Sequence, residues 1–319
     1  MNVLIVIVNY RTAGLTIDCL RSLLPEVAGL PHTRVVVTDN ASGDDSVPTL
    51  QAAVLENGWG DWASIQPLDK NGGFAYGNNA AIRTALASND PPRYVLLLNP
   101  DTVVHPGALQ TLVDFLDARP DVGMVGSRLE ELDGTPHVSA FRFHSVLGEL
   151  EDGLRLGLAT KILKRYSVWA PVPDHACPTD WVAGACLLVR REVFEKVGLL
   201  DERYFMYFEE VDFCLRARRA GWPCWYEPKA RVVHLVGKSS GVTDVEVAKK
   251  KRRPAYWFNS RRRFFMTNYG VARTVLADVV WVTAFSTYRV RRILQRKPDA
   301  DPRRLLWDFI RHNFLLARK

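Results

Sequence analysis

With 319 residues the chain is longer than the roughly 150 of an ordinary domain, so it holds one large domain or two of common size, and a mini-protein is excluded. A hydrophobic share of 47% beside 24% charged residues excludes a disordered, collagenous or coiled-coil chain. The net charge of +7 conceals a division: Lys249 to Lys319 carries 19 Lys and Arg against 4 Asp and Glu, a net of +15, whereas residues 1 to 248 hold 23 against 31, a net of −8. Such a terminus points to an anionic partner, either nucleic acid or a phospholipid surface.

In chain order, MNVLIVIVNY reads as a strand, because no basic region precedes its apolar run and no small-residue cleavage pattern follows, as a signal peptide would need. Short β-branched runs (VLIVIV, RVVVTD, ASIQP, RYVLLL) then alternate with helical stretches near Thr12–Leu24, Ser46–Glu56, Gly77–Ala87 and Pro106–Ala118. That alternation over residues 1–126 predicts βαβ units and a mostly parallel central sheet flanked by helices. Pro25 and Pro120 fall just past helix ends. Residues 127–180 are less regular and read as a loop or lid. DWVAGACLLVRREVFEKV reads as a strand and short helix, FMYFEEVDFCLRARRAGW as a helix, and WYEPKARVVHL as a pair of short strands. From Lys249 onward basic amphipathic helices carry interleaved Trp, Tyr and Phe, so the expected domains are 1–248 (1–126 and 127–248 as halves) and 249–319. The nearest approach to a membrane span, Thr274 to Tyr288, contains Asp278. Five cysteines with no C-x-x-C pair disfavour a disulfide framework or thiolate zinc site and suit a reducing compartment.

In open α/β sheets ligands sit beyond the carboxyl ends of the strands, and the polar clusters fall there. Asp39, in VVVTDNASGDDS, can accept the N3–H of a uracil or thymine, or form an ordinary Asx turn. The DKNGGFAYGNN loop lets backbone approach a phosphate or ribose, or serves as a tight strand-to-helix turn; it lacks the Lys and Ser/Thr of a Walker loop. Asn99, Pro100 and Asp101 end the YVLLL strand, where a carboxylate suits Mg²⁺ or Mn²⁺ and an Asn-Pro-Asp turn is the plainer alternative. Glu209, Glu210 and Asp212 open a helix; they can cap it, or crowd one another's pKa upward and supply a general base. His234 precedes GKSSG, whose Lys238 and Ser239 can hydrogen-bond a diphosphate.

Taken in order, VIVNYR, VTDNASGDDS, NGGFAYGNN, LLLNPDT, WVAGACLLVRR, FMYFEEVDFCLRARRAGW and ARVVHLVGKSSG resemble glycosyltransferase family 2, the inverting GT-A group, in its bacterial rhamnosyltransferase-like branch. The resemblance spans roughly residues 2–241. It implies a dTDP- or UDP-sugar donor bound by Asn9, Tyr10, Arg11, Asp39, Asn71, Gly72, Gly73, Asn79, Asn99, Lys238 and Ser239, and a Mg²⁺ or Mn²⁺ ion held by Asp101 and His234. Asn99 stands where relatives carry the first Asp of a D-x-D motif. The catalytic base falls in the Glu209–Glu210 pair, with Glu210 the choice and Glu209 the alternative, while Asp212 orients the helix or an acceptor hydroxyl. Trp181 and Gly184 shape the acceptor side. The implied acceptor is a glycan or a lipid-linked sugar in cell-surface polysaccharide synthesis, and the basic tail then holds the enzyme at the cytoplasmic face of an anionic membrane, or packs as a helical domain or oligomer contact. A nucleic-acid-binding protein using the +15 tail is the competing class, although no nucleic-acid motif accompanies it.

Overall fold

A computed structural model describes residues 1–169, 171–235 and 251–315. They form two compact units, Met1–Phe141 with Pro171–Phe205 and Glu209–Gly241, and Arg142–Ala170 with Met206–Phe208 and Val242–Lys319.

The first unit grows from the run VLIVIVN, which becomes strand β1 (Val3–Asn9) with all seven residues buried. A continuous apolar run is what a parallel strand covered on both faces requires. Around it lie β2 (Thr33–Asp39), β3 (Ala63–Pro67), β4 (Tyr94–Leu98), β5 (Thr102–Val104), β6 (Met124–Glu130), β8 (Cys177–Thr179), β10 (Cys186–Arg190) and β11 (Cys224–His234). Among the described residues they make one mixed sheet in the order β3-β2-β1-β4-β10-β6-β11-β5, with β8 on β11. The first four strands run parallel, β10 enters antiparallel between β4 and β6, and β6 and β11 are again parallel. A two-residue β7 (Ala140–Phe141) pairs separately with β9 (Trp181–Val182). Helices α1 (Ala13–Ser22), α2 (Leu24–Gly29), α3 (Ser46–Glu56), α4 (Gly73–Leu86), α5 (Ala108–Asp117), α8 (Arg191–Val197) and α9 (Glu209–Arg219) complete this unit.

Three local readings change. Pro25 lies past the end of α1 as expected, but it also sits in the first turn of a second helix, α2, where its missing N–H costs nothing. Helix α4 starts at Gly73 rather than Gly77, and just before it the Gly73 N–H donates to Asn71 Oδ1 at 3.1 Å in an Asx turn. Gly77 then serves packing: a Cβ there would lie 2.7 Å from Val8 Cγ1, so α4 rides close over β1. The WYEPKARVVHL segment belongs to one strand, whose pairing with β6 shifts register between Glu227 and Arg231 around the proline.

In the second unit, α6 (Val146–Leu154) and α7 (Gly157–Leu163) join α10 (Ala255–Leu294) and α11 (Leu305–Ile310). Residues read as lid therefore contribute helices to this unit, and it is not confined to the tail from 249. Trp281 stacks on Phe285 and Phe309 at 4.7 and 4.1 Å between centroids, beside buried Phe258 and Leu305. Each of the four tail acids meets arginine: Asp278 with Arg261 at 2.6 Å, Asp299 with Arg289 and Arg292 at 2.8 Å, Asp301 with Arg155 at 2.5 Å, and Asp308 with Arg252 through both oxygens. Arg261 is almost fully buried and also binds Glu149 Oε2 at 2.8 Å. Asp278, which interrupts the apolar run from Thr274, is thus neutralised inside the unit. Among the described residues no helix is long and apolar enough to cross a membrane.

Candidate active site

The register assembles the site on one edge of the sheet. Asn9 closes β1 opposite Asp39, which closes β2, and Leu98 of β4 faces Cys186 at the start of β10. The Asn99 N–H donates to the Ala185 carbonyl at 3.0 Å, joining the β4 and β10 ends. Chain ends of β1, β2 and β4 thereby deliver Asn9, Asp39 and the Asn99–Asp101 turn together.

Asp39 is held from several sides. Asn9 Nδ2 and Ser42 Oγ donate to Oδ2 at 2.6 and 2.7 Å, and the Ser42 N–H donates to Oδ1 at 2.9 Å. A carboxylate offers about four acceptor directions, so one on Oδ1 is left for an incoming N–H. The Asx turn and the nucleobase reading are therefore compatible. Arg11 closes the same turn, its N–H reaching Ser42 Oγ at 2.9 Å and its Nε the Ser42 carbonyl at 2.8 Å, with its guanidinium over the exposed Tyr10 ring. Ser42 was not singled out from the sequence, yet it links Asn9, Arg11 and Asp39; its position three residues after Asp39 was the available signal. Asn40, likewise missed, reaches across to the Gly73 carbonyl at 2.9 Å.

The glycine loop is built by contact. Gly73 has φ +86°, and a Cβ there would collide with the Phe205 carbonyl oxygen; one at Gly72 would strike the Tyr76 ring. Asn79 does not face this loop's ligand side with free groups. Its amide donates to the Leu200 carbonyl at 2.8 Å and Glu202 Oε1 at 2.9 Å and accepts the Leu200 N–H at 3.2 Å, so its polar atoms clamp the 200 loop.

Asp101 is buried, and His234 Nε2 lies 3.3 Å from its Oδ1 and 3.3 Å from Asn99 Nδ2. The β11–β5 ladder causes this, since His234 pairs with Thr102 and the Leu235 N–H donates to the Asp101 carbonyl at 2.9 Å. One carboxylate and one imidazole would supply two of the six positions of an octahedral divalent-cation shell, with oxygen and nitrogen donors that suit Mn²⁺ or Mg²⁺. Among the described residues no third His, Cys, Asp or Glu joins them, so the donor set fits an ion whose other positions are filled by substrate oxygens and water.

At the start of α9, Glu209 and Asp212 are buried and Glu210 is half-buried. Burial pushes the Glu210 carboxyl up to about 7, against the opposing pull of the Glu210, Val211 and Gly184 backbone amides. Its Oε2 is buried and accepts no hydrogen bond among the described residues. Gly184 lies directly beside it: a Cβ on Gly184 would stand 3.9 Å from Glu210 Cβ and 3.3 Å from the Phe74 ring. Trp181 stacks on Phe141 at 4.2 Å and 16°. Asp212 differs from its neighbours, because Arg216 Nε donates to its Oδ2 at 2.8 Å while the same guanidinium binds the Val197 and Leu199 carbonyls. It orients the helix, and a direct role toward substrate does not follow from this geometry. Lys238 and Ser239 lie outside the described residues.

A carboxyl of raised pKa at Glu210 and the Asp101–His234 pair lie on a mixed, mostly parallel α/β sheet flanked by helices, the GT-A class of fold. The family described as Glycosyltransferase like family 2 matches residues 1–258. The chain is 31% identical over 219 residues to the N-acetylglucosaminyl-diphospho-decaprenol L-rhamnosyltransferase of Mycobacterium tuberculosis H37Rv, covering 65% of this chain and 68% of the relative. It is 27% identical over 225 residues to the low-salt glycan biosynthesis hexosyltransferase Agl10 of Haloferax volcanii, covering 67% and 61%. In fold it is similar to the mannosyltransferase PcManGT of Pyrobaculum calidifontis, solved with GDP-Man and Mn²⁺, at TM-score 0.59 and 15% identity over 92% of this chain and 75% of that one. The chain belongs to glycosyltransferase family 2 and is a glycosyltransferase.

Proposed function

We propose that the protein moves rhamnose or another hexose from a dTDP- or UDP-sugar to a hydroxyl of a glycan or lipid-linked acceptor, with inversion, in cell-surface polysaccharide synthesis at the cytoplasmic membrane face. The observation that carries this reading is Glu210: a carboxyl pushed to about 7 by burial, beside Gly184, on the sheet edge that also bears Asp101 and His234. Such a group takes a proton near neutral pH without being protonated throughout. The mycobacterial relative's name supports a lipid-linked acceptor and rhamnose.

In this reading Glu210 accepts the acceptor hydroxyl proton as that oxygen attacks the anomeric carbon, and the nucleoside diphosphate leaves from the opposite face. Asp39, preset by Asn9 and Ser42, receives the base N3–H, and the glycine loop lies against ribose or phosphate. Asp101 and His234 would hold Mg²⁺ or Mn²⁺, which when bound would supply positive charge against the diphosphate. Gly184 leaves room for the acceptor beside the base, and the Trp181 face supports a sugar ring.

The test is donor turnover with a panel of dTDP- and UDP-sugars and Mn²⁺, read as nucleoside diphosphate released. Asp101→Ala is expected to abolish turnover and metal-dependent donor binding. Unchanged binding and turnover in that variant would refute the metal assignment.

A further inference from the structure

Beyond its Gly270 break, α10 presents an exposed face that is largely apolar. Val271, Val275, Leu276, Val279, Val290 and Ile293 are 45–66% exposed. At 100° per residue they fall within about 140° of the helix circumference. The segment 271–294 contains one acid, Asp278, and it is buried against Arg261. Thr283 and Ser286 are the uncharged polar side chains within that sector, and Arg289, at its margin in line with Val271, is half-buried and paired with Asp299 at 2.8 Å. At about 1.5 Å per residue the face is about 36 Å long, far more than a scattering of surface valines. Its margins are cationic: Arg273 lies along one side, and Arg296 and Lys297 follow the helix end, all three exposed.

We infer that this face is an interfacial membrane contact, lying in the headgroup–acyl boundary of a bilayer that contains anionic phospholipid. This deepens the proposed function by locating its membrane partner, and it rests on that reading only for its purpose. The charge pattern selects the occupant. A second copy of the helix laid against the first would bring arginine margins together, and the one exposed acid beside them, Asp299, is already paired with Arg289 and Arg292 of its own chain. Anionic headgroups answer them directly, while the apolar strip enters the acyl boundary. Arg252, Arg261, Arg262, Arg289 and Arg292 face Asp278, Asp299 and Asp308 of their own unit, which leaves Arg273, Arg296 and Lys297 as the exposed cations beside this helix face.

The test is flotation of the full chain with vesicles of equal parts phosphatidylcholine and phosphatidylglycerol, compared with phosphatidylcholine alone. Wild type is expected to float with the anionic vesicles, and the double variant Val275→Asp, Val279→Asp to lose about tenfold in partitioning. Because both positions are exposed, its thermal unfolding should match wild type; Val275→Ser, Val279→Ser supplies a milder pair should it not. Donor hydrolysis in the absence of any acceptor is read in parallel, so loss of flotation with intact hydrolysis isolates the membrane contact, and the reverse isolates the transferase reading. Equal flotation of wild type and both variants, no flotation of wild type, or a wild-type dimer in sedimentation that the variants dissolve would each overturn the inference.

Discussion

The Asp39 turn and the start of α9 both bury carboxylate oxygens, but they treat them in opposite ways. Asp39 receives three hydrogen bonds from Asn9 and Ser42, whereas Glu210 keeps a buried oxygen without one and is pushed up to about 7. A group that must only recognise a ligand gains from being fixed in advance, since ordering it at the moment of binding costs free energy. A group that must take a proton gains from being under-solvated, because stabilising its charged form would weaken it as a base. The contrast recurs within one helical turn: Asp212, two residues from Glu210, is held by Arg216.

The comparison breaks most visibly at Glu210. Glu210→Gln is expected to lower transfer by about 10²–10⁴-fold, the usual worth of a general base, with nucleotide binding retained. If Glu209→Gln proves the dead variant while Glu210→Gln still turns over, the assignment within the pair reverses. The pH dependence sharpens the same point. Transfer should rise through about pH 7 as Glu210 becomes charged. Stability should move the other way: a carboxyl raised above its ordinary value of 4.5 favours the fold while protonated, and that contribution is lost as pH climbs to about 7. Glu210→Gln should therefore gain on wild type in thermal unfolding between about pH 5 and about pH 8, by on the order of 2 kcal/mol. A gap that stays constant across that range would remove the buried-base account.

Much of this site was legible because strand ends are legible. VLIVIVN, TRVVVTD and YVLLL are apolar runs closed by polar residues, and a parallel sheet puts such closures on one edge. His234 could be read only through the family resemblance, since its approach to Asp101 depends on β5 and β11 pairing across more than a hundred residues. Asn79 misled for the opposite reason: an asparagine following glycines resembles a ligand group, and nothing local reveals that the 200 loop consumes its amide. The second unit was legible as helical and basic. Its membership was not, because α6 and α7 reach it through tertiary contacts such as Glu149 with Arg261, and irregular composition disguised them as lid.

Smaller effects separate the two treatments further. Asp212→Asn should cost about 2 kcal/mol of stability by leaving the Arg216 charge without its anion, while the pH midpoint of transfer stays near 7. A shifted midpoint would mean that Asp212 acts on the reaction. Asp39→Asn turns an amide donor toward Asn9 Nδ2 or the Ser42 N–H, so nucleotide affinity should fall about tenfold with little change in the rate at saturation. Unaltered affinity would return Asp39 to a turn residue alone.

The mildest substitution is Gly184→Ala. Its φ is not in the left-handed region, and the added methyl would meet the Phe74 ring at 3.3 Å, a contact that a ring can relieve by moving a few tenths of an ångström. The new carbon would also stand 3.9 Å from Glu210 Cβ, in ordinary contact. The methyl therefore takes acceptor space without displacing the base, and the expected result is an acceptor KM raised by about two- to fivefold, with donor KM and pH midpoint unchanged. A drop in kcat with an upward-shifted midpoint would mean instead that the methyl deepens the burial of Glu210, since the same desolvation that raises its pKa would have increased.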